Sequence, residues 1–413
     1  LRECIDRARS KNTLVLREEL MRRDASIKLR QARLEYIPHV GITSTSETAL
    51  GKTVTLPSTT SEGIEELEIS ANITTDLFAG LRKHHTLKRS ELEAEAVAHH
   101  IDKVRNELEL EVTYAYLNVL LAEERVDIVE NQIATLEAQL LVTRKMVDEG
   151  TRETGDILQM EAQLTDARHQ SLLTYNQRLI AYFTLCQLLE IDDYRDFHII
   201  APQSIQMQLN MSPESTTEIF SAAQSLPQIQ SANIGIDIAD RNVKLAKAGL
   251  YPTLNLSTGY RSEYDYPLSI PRRAFSRQIK DNANAYFLFT LNIPIFNSLS
   301  TRSKIETNRI SRLRAEYDLR LAQKQIYQEI QEAFIDAHGS LEQYIASVQN
   351  VESSDNSLRD VEKRYARGRA TSSDYIIAVY NCTNSRNQLA LAKYQYIYKN
   401  KLLDFYTGVP IDL

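Results

Sequence analysis

The stretch "VDEGTRETGDIL" at 147–158 separates two long helical patterns and carries the only two glycines between Gly80 and Gly235. A second stretch, "YARGRATSSDYI" at 365–376, has the same layout: a Gly, an Asp six residues on, then an apolar pair. Gly368 lies 218 positions after Gly150 (368 − 150), and Asp374 lies 218 after Asp156 (374 − 156). The offset extends well beyond the turns. Ala115-Tyr116 matches Ala333-Phe334, Phe78 matches Phe296 and Gln170 matches Gln388, all at 218. Upstream, "ARLEYIPHVGI" (32–42) aligns with "AKAGLYPTLNL" (246–256), where Pro38 and Pro252 are 214 apart (252 − 38). The slip of four falls in intervening loops, where length changes are tolerated. The chain therefore reads as a tandem duplication. Its unit of roughly 200 residues is far too long for a solenoid repeat.

Each copy reads helix, extended segment, loop, extended segment, very long helix, turn, helix. In "EELEISANITTDLF", Leu67, Ile69, Ala71, Ile73, Thr75 and Leu77 alternate with Glu68, Ser70, Asn72, Thr74 and Asp76. Strict period two means a strand with one apolar and one polar face. In "NANAYFLFTLNIPIF", Phe287, Phe289, Leu291, Ile293 and Ile295 alternate with Leu288, Thr290, Asn292 and Pro294. "YPTLNLSTGYRSEYDY" sets Leu254, Leu256, Tyr260, Tyr264 and Tyr266 against Asn255, Ser257 and Arg261. The first strand, "YIPHVGITSTS", is weaker, with Val40 and Ile42 its clear apolar residues. Loops over roughly 47–63 and 266–283 complete one hairpin per copy, four strands in all.

Two lone hairpins find nothing else in the chain to close them into a sheet, and open edges are a liability in water and untenable in lipid. In water, each apolar face needs a helix to cover it. In a membrane the same alternation means lipid outside and a wet lumen inside. Tyr36, Tyr251, Tyr260, Tyr264, Tyr266 and Tyr286 at strand ends fit an interfacial belt, or the plain preference of Tyr for strands. Four strands are too few for a barrel, whose practical minimum is about eight. If they span a membrane, several chains share one barrel, and three copies of four strands supply twelve.

From about Gly80 to Asp148 little would break a helix. Val112, Ala115, Val119, Ala122, Val126, Val129, Ile133, Leu136 and Leu140 recur at steps of three and four, a sustained heptad seam. The second copy keeps the spacing with smaller, more polar residues: Ile330, Ala333, Ala337, Ser340, Tyr344, Ser347, Val351, Ser354 and Leu358. Leu341, Ile345 and Val348 form a second partial stripe, which lets a helix sit between two neighbours. At 1.5 Å per residue, some 65 residues make a helix of ~100 Å, beyond what a globular core covers.

The composition fits a folded chain: 413 residues, 25% charged and 43% hydrophobic. A net charge of −7 with no basic block argues against nucleic acid as a partner. No window approaches the ~18 apolar residues of a spanning helix. The first residue is Leu1 rather than Met, so any leader lies outside what the sequence displays. Cys4, Cys186 and Cys382 have neither zinc nor disulfide-framework spacing and read as scattered buried thiols. The pairs His84-His85 and His99-His100 have no Cys, HExxH or acidic cluster beside them and read as solvated surface. No phosphate loop, nucleophile elbow or dinucleotide fingerprint is present. The expectation is no catalytic residue, no metal site, no cofactor, and no enzyme activity.

The turns remain the strongest candidates. The first carries Asp148, Glu149, Arg152, Glu153 and Asp156, the second Lys363, Arg364, Arg367, Arg369 and Asp374. A purely structural reading has Gly150 and Gly368 end one helix while Asp156 and Asp374 complement the positive start of the next.

Together, the duplication, the "YIPHVGI" and "LYPTLNL" strand entries, "LNIPIFNSLSTR" leading into a long helix, and the two turns make the sequence resemble the TolC-like outer membrane efflux proteins. The likeness covers essentially the whole chain. It implies a mainly α fold with β-barrel strands, a tandem-duplicated unit whose four strands per chain enter a trimeric 12-stranded barrel. A long coiled-coil α-helical barrel continues it across the periplasm. On that scheme 1–35 and 214–249 are periplasmic or equatorial helices and 36–78 and 250–297 outer-membrane β-hairpins. Residues 79–188 and 298–405 are long periplasmic helix pairs with turns near 150 and 368, and 189–213 and 406–413 are equatorial segments.

The resemblance implies a passive homotrimeric exit duct for efflux or type I secretion in a Gram-negative outer membrane. A periplasmic adaptor (membrane fusion protein) and an inner-membrane pump would dock at its tips. Gly150, Thr151, Gly368 and Arg369 correspond to the docking turns, and Asp156, Asp374, Arg152 and Tyr365 to the constriction and its latch. Leu67, Ile69, Ile73, Leu254, Leu256, Phe287, Phe289 and Leu291 would face outer-membrane lipid. Ala370 stands where an Arg is common and Ile377 where some members carry a second acid, departures that bear on a double acidic ring. The contrasting expectation is a structural coiled-coil protein of the envelope that forms no pore.

Overall fold

The computed structural model describes residues 1–55, 59–200, 215–267 and 274–412. The first copy runs α1 (Arg2–Lys11), α2 (Thr13–Leu34), β1 (His39–Thr55), β2 (Thr59–Ala79), α3 (Arg82–Asp148) and α4 (Thr154–Leu188). The second runs α5 (Thr216–Ala223), α6 (Pro227–Ala248), β3 (Thr253–Pro267), α7 (Phe275–Asp281), β4 (Asn284–Asn292), α8 (Ser300–Ala366) and α9 (Ser372–Thr407). The duplication is therefore structural as well as sequential. α3 and α8 are each 67 residues long.

The copies also share their backbone exceptions. Gly80 and Leu81 both take positive φ, +59° and +63°, between β2 and α3. Ser298 and Leu299, each 218 positions later, take +53° and +63° between β4 and α8. Two successive left-handed residues thus precede each of the two long helices. Leucine there is sterically disfavoured, so the surrounding fold holds it.

The chain forms two compact units, one of Leu1–Leu20, His99–Gln230 and Arg320–Leu413, the other of Met21–Ala98 and Ser231–Leu319. The second unit holds the sheet, ordered β1-β2-β3-β4 and antiparallel throughout. Pairing of β2 with β3 joins the two hairpins side by side, which the sequence did not foretell. Among the described residues β1 and β4 remain edge strands.

Register explains the faces. Directly opposed residues in an antiparallel pair point the same way. Leu67 opposes Tyr264, Ile73 opposes Thr258 and through it Phe287, and Leu256 opposes Phe289. Leu254 opposes Leu291. These apolar residues thus share one face; α7 packs on it at Ser262 and Tyr264, while Phe287 (75% exposed) and Val40 (77%) stand open. The opposite face holds Ser70, Asn72, Thr74 and Asp76 with Arg261, Ser257 and Asn255. Gly259 permits the β2–β3 approach, since a Cβ there would lie 2.2 Å from the Ala71 carbonyl oxygen.

The sequence expectation of a loop over 47–63 is corrected: β1 continues to Thr55 and β2 starts at Thr59. The Thr and Ser interspersed through that sequence hide any period-two alternation, yet Thr is a good strand former and cross-strand pairing carries the ladder on. Part of the second expected loop, 266–283, is the helix α7. Tyr266, counted among the strand-end aromatics, pairs with Glu65 through its backbone, and its side chain falls outside the described set. Residues 201–213 of the expected equatorial segment, with 214 after them, likewise lie outside the described residues.

In the first unit, the heptad seam of α3 is buried at Val112, Val119, Val129 and Leu136, with Val112 and Val119 in one apolar cluster with Leu185 of α4 and Ala390 of α9, and Leu136 in another with Met160 of α4 and Val379 of α9. The seam of α8 is buried at Ile330, Ala333 and Ala337 and half-buried from Tyr344 to Leu358. Buried apolar surface contributes roughly 25 cal/mol per Å², so the periodic stripe, rather than helix propensity, fixes which way each long helix turns.

Candidate functional site

The connectors 149–153 and 367–371 are built alike. The Gly150 N–H donates to the Val147 carbonyl (2.9 Å) and the Thr151 N–H to the Met146 carbonyl (2.8 Å). The Gly368 N–H donates to the Tyr365 carbonyl (2.9 Å) and the Arg369 N–H to the Arg364 carbonyl (2.8 Å). This is a Schellman closure in both copies, and it requires the left-handed φ of +73° and +72° that glycine adopts readily. Nothing lies within 4 Å of where a Cβ would stand on either glycine, so backbone conformation rather than space demands the residue.

Beyond the glycines the copies diverge. Thr371 caps α9: its hydroxyl oxygen accepts from the Asp374 N–H, while the Asp374 carboxylate accepts from the Thr371 N–H (2.8 Å) and hydroxyl (2.7 Å). These bonds to the ionised form hold the Asp374 carboxyl below the usual carboxylate range. The pattern T-x-x-D was legible at 371–374 as a capping box, although sequence reading placed only the Asp. Asp156 has no such box. Its Oδ2 lies 3.9 Å from Arg152 Nη1, and the N-cap Glu153 makes no side-chain cap bond.

Arg152 reaches across to the other copy. Its Nη2 donates to the Ala370 carbonyl (2.6 Å) and the Tyr365 carbonyl (3.3 Å). Its guanidinium carbon stands 4.2 Å from the centre of the Tyr365 ring. A cation there satisfies carbonyls at the negative end of α8 and also meets a π face. The Tyr365 side chain is fully buried, and its hydroxyl lies 3.0 Å from both Thr143 Oγ1 and Ser372 Oγ. Both hydroxyl residues are themselves completely buried. One tyrosine thus ties α3, α8 and the start of α9 through hydroxyls, within an apolar cluster that includes Leu136, Leu140, Met160, Val361, Tyr375 and Val379. Thr143 and Ser372 had no signal in the sequence, because single hydroxyls on a helix carry no motif.

Arg152, Tyr365 and Asp156 are thus brought together, Asp374 is spent on capping, and Thr151 and Arg369 stand exposed on the connectors. Ile377 is exposed on α9. Among the described residues no grouping of three or more His, Cys, Asp or Glu is arranged to hold a metal ion. His84 and His85 stack edge to face, centroids 5.4 Å apart, and burial with neighbouring positive charge holds His85 below the usual imidazole range. His100 differs from a plain solvated residue: its Nε2 lies 3.3 Å from the carboxylate of the buried Glu18. All three cysteines are free, Cys186 and Cys382 buried and Cys4 half-buried.

A family model described as "Outer membrane efflux protein" matches residues 4–189 and 219–409, one segment per copy of the duplication. The chain belongs to the outer membrane efflux protein family. Outer membrane protein TolC of Vibrio cholerae is 22% identical over 289 residues, 70% of this chain and 64% of that protein. Alkaline protease secretion protein AprF of Pseudomonas aeruginosa is 23% identical over 313 residues, 73% of this chain and 62% of its own length. The match thus spans less than two thirds of these two curated relatives. Among solved structures CusC superposes with a TM-score of 0.83 at 16% identity, over 99% of this chain and 92% of CusC. The family fold, a four-stranded sheet attached to long paired helices, is the one described above.

Proposed function

We propose that this efflux-family chain forms an exit duct in the outer membrane of a Gram-negative cell, three copies closing one barrel. The observation that carries the reading is the sheet, with an apolar face open at Val40, Phe287 and Phe289, one polar face and, among the described residues, two unpaired edges. Such a sheet is stable in lipid only when further copies pair its edges into a closed barrel. Nine residues of β4 face nine of β3, within the roughly 9–11 that a tilted strand needs to cross the hydrocarbon. No described helix is long and apolar enough to cross a membrane. Leu67, Ile69, Ile73, Leu254, Leu256, Phe287, Phe289 and Leu291 then meet lipid. On this reading 36–78 and 250–297 are the outer-membrane hairpins, and the helix pairs 79–188 and 298–405 form the periplasmic tube.

The connectors at Gly150–Thr151 and Gly368–Arg369 are the tips, offered to a periplasmic adaptor and inner-membrane pump. Arg152 and Tyr365, with Asp156 and Asp374 nearby, hold the closed arrangement. Partner docking favours the open one by binding it more tightly, a shift between two packings. The duct moves substrate passively.

Reconstitution in planar bilayers tests this. Purified protein should give discrete conductance steps, and Arg152→Ala should give larger ones. Absence of steps from a detergent-purified trimer would remove the channel reading. Steps unchanged in the variant would remove the latch and leave the channel.

A further inference from the structure

After α4 the irregular segment 191–200 is held against α3 and α4. The Tyr116 hydroxyl donates to the Ile200 carbonyl (2.9 Å), and the Tyr182 ring meets Phe197 edge to face with centroids 6.5 Å apart. Between the segment and α4 lies a cavity of about 510 Å³, also lined by Glu123 of α3. That size falls within the usual range of small-molecule sites. On α4, Tyr175, Arg178 and Tyr182 recur at steps of three and four and share one face. The segment supplies Tyr194, Arg195 and Phe197.

The two arginines set the chemistry. The Arg178 guanidinium carbon is 4.6 Å from the Tyr175 ring centre, and that of Arg195 is 5.9 Å from the Tyr194 ring centre. Among the described residues neither guanidinium makes an ion pair, and Arg178 donates no hydrogen bond. Glu123, which shares the cavity, accepts from the Tyr182 hydroxyl instead. In a chain of net charge −7, two unpaired cations therefore stand beside four aromatic rings.

The second copy has no counterpart. The residues 218 positions on are Leu341 for Glu123, Lys393 for Tyr175, Tyr396 for Arg178 and Asn400 for Tyr182. Lys393 is itself paired with Glu124 at 2.8 Å. The duplication kept the helix and lost the chemistry of the cavity, so the helix does not need these arginines in order to form.

We propose that this cavity binds an aromatic carboxylate. The N–H fork of a guanidinium matches a carboxylate in a bidentate pair. The tyrosine and phenylalanine rings receive the ligand's ring in offset or edge-to-face contact. An anion without a ring lacks the second interaction, and a neutral ring lacks the first. The Glu123 carboxylate repels a second acid group, which favours a monocarboxylate. The site goes beyond the duct reading and does not depend on it, since a chain that forms no pore presents the same cavity.

Photolabelling of the full chain in detergent with para-azidobenzoate tests this. Mass spectrometry of the digested protein should find the label within 175–182 and 194–199. Excess benzoate should reduce the label several-fold, whereas acetate or benzyl alcohol at the same concentration should not. Arg178→Gln with Arg195→Gln should reduce it about tenfold. Arg195 is exposed and Arg178 half-buried, so the thermal midpoint should stay in place. Label scattered along the chain, equal displacement by benzyl alcohol, or unchanged labelling of the double variant overturns the proposal. The competition arm uses the parent protein alone, so it decides the matter even if the double variant folds poorly. Conductance without site-specific label would overturn this site and leave the duct, while label without conductance would do the reverse.

Discussion

Arg152 shows how little of a residue's role its own neighbourhood in sequence reveals. Beside Asp156 it looks like one member of a local (i, i+4) pair, yet that contact is long at 3.9 Å and its short bond, 2.6 Å, is to a carbonyl 218 residues away. Tyr365 and Thr143, 222 positions apart, are equally remote. Tyr365→Phe keeps the ring under the Arg152 guanidinium and removes only the hydroxyl. It leaves the buried Ser372 hydroxyl without its partner, at a cost of roughly 1–3 kcal/mol. The expected result is a lower thermal midpoint for the purified protein, and an unchanged midpoint would show the shared hydroxyl to be energetically idle. The turn residues were legible because Gly, Thr and Asp act through their own backbone. The clamp was not, because it exists only where two distant segments meet.

At the level of the element, the two glycines of "VDEGTRETGDIL" make a controlled comparison. Gly150 sits at positive φ with open space around its Cβ position. Gly155 lies in the first turn of α4 with nothing within 4 Å and no positive φ. Gly150→Ala should destabilise by about 1–2 kcal/mol, the steric cost of a left-handed alanine. Gly155→Ala should stabilise by about 0.5–1 kcal/mol, because glycine loses the most freedom on entering a helix. Opposite shifts in thermal midpoint are expected, and shifts of the same sign would contradict the assigned turn. The long helices and the Gly closures could be read from period and punctuation. The hairpin extension over 47–55 and 59–63 could not, since interspersed Thr and Ser erase the period-two signal in the sequence.

For the whole molecule, buried tyrosines set an alkaline limit. Burial and the hydrogen bond to Glu123 push Tyr182 up to about 12, and burial pushes up Tyr375, Tyr394 and Tyr406 as well. A raised folded pKa favours the neutral phenol. The contribution is therefore complete below the unfolded value near 10 and is lost as pH rises through the folded one. Stability should stay level through neutral pH and fall between about 10 and 12, with tyrosinate absorbance appearing together with loss of helical signal. Tyrosinate that forms near pH 10 with the fold intact would contradict the burial. The sequence by itself determined the duplication, the long helices, the apolar face of each strand and the glycine turns, because these are properties of spacing along the chain. Only the tertiary structure decided that the two hairpins join through β2 and β3 and that Arg152 and Tyr365 bind the copies together. Those outcomes depend on which segments come within hydrogen-bonding distance. A period specifies which side of an element seeks a partner but not which partner it meets.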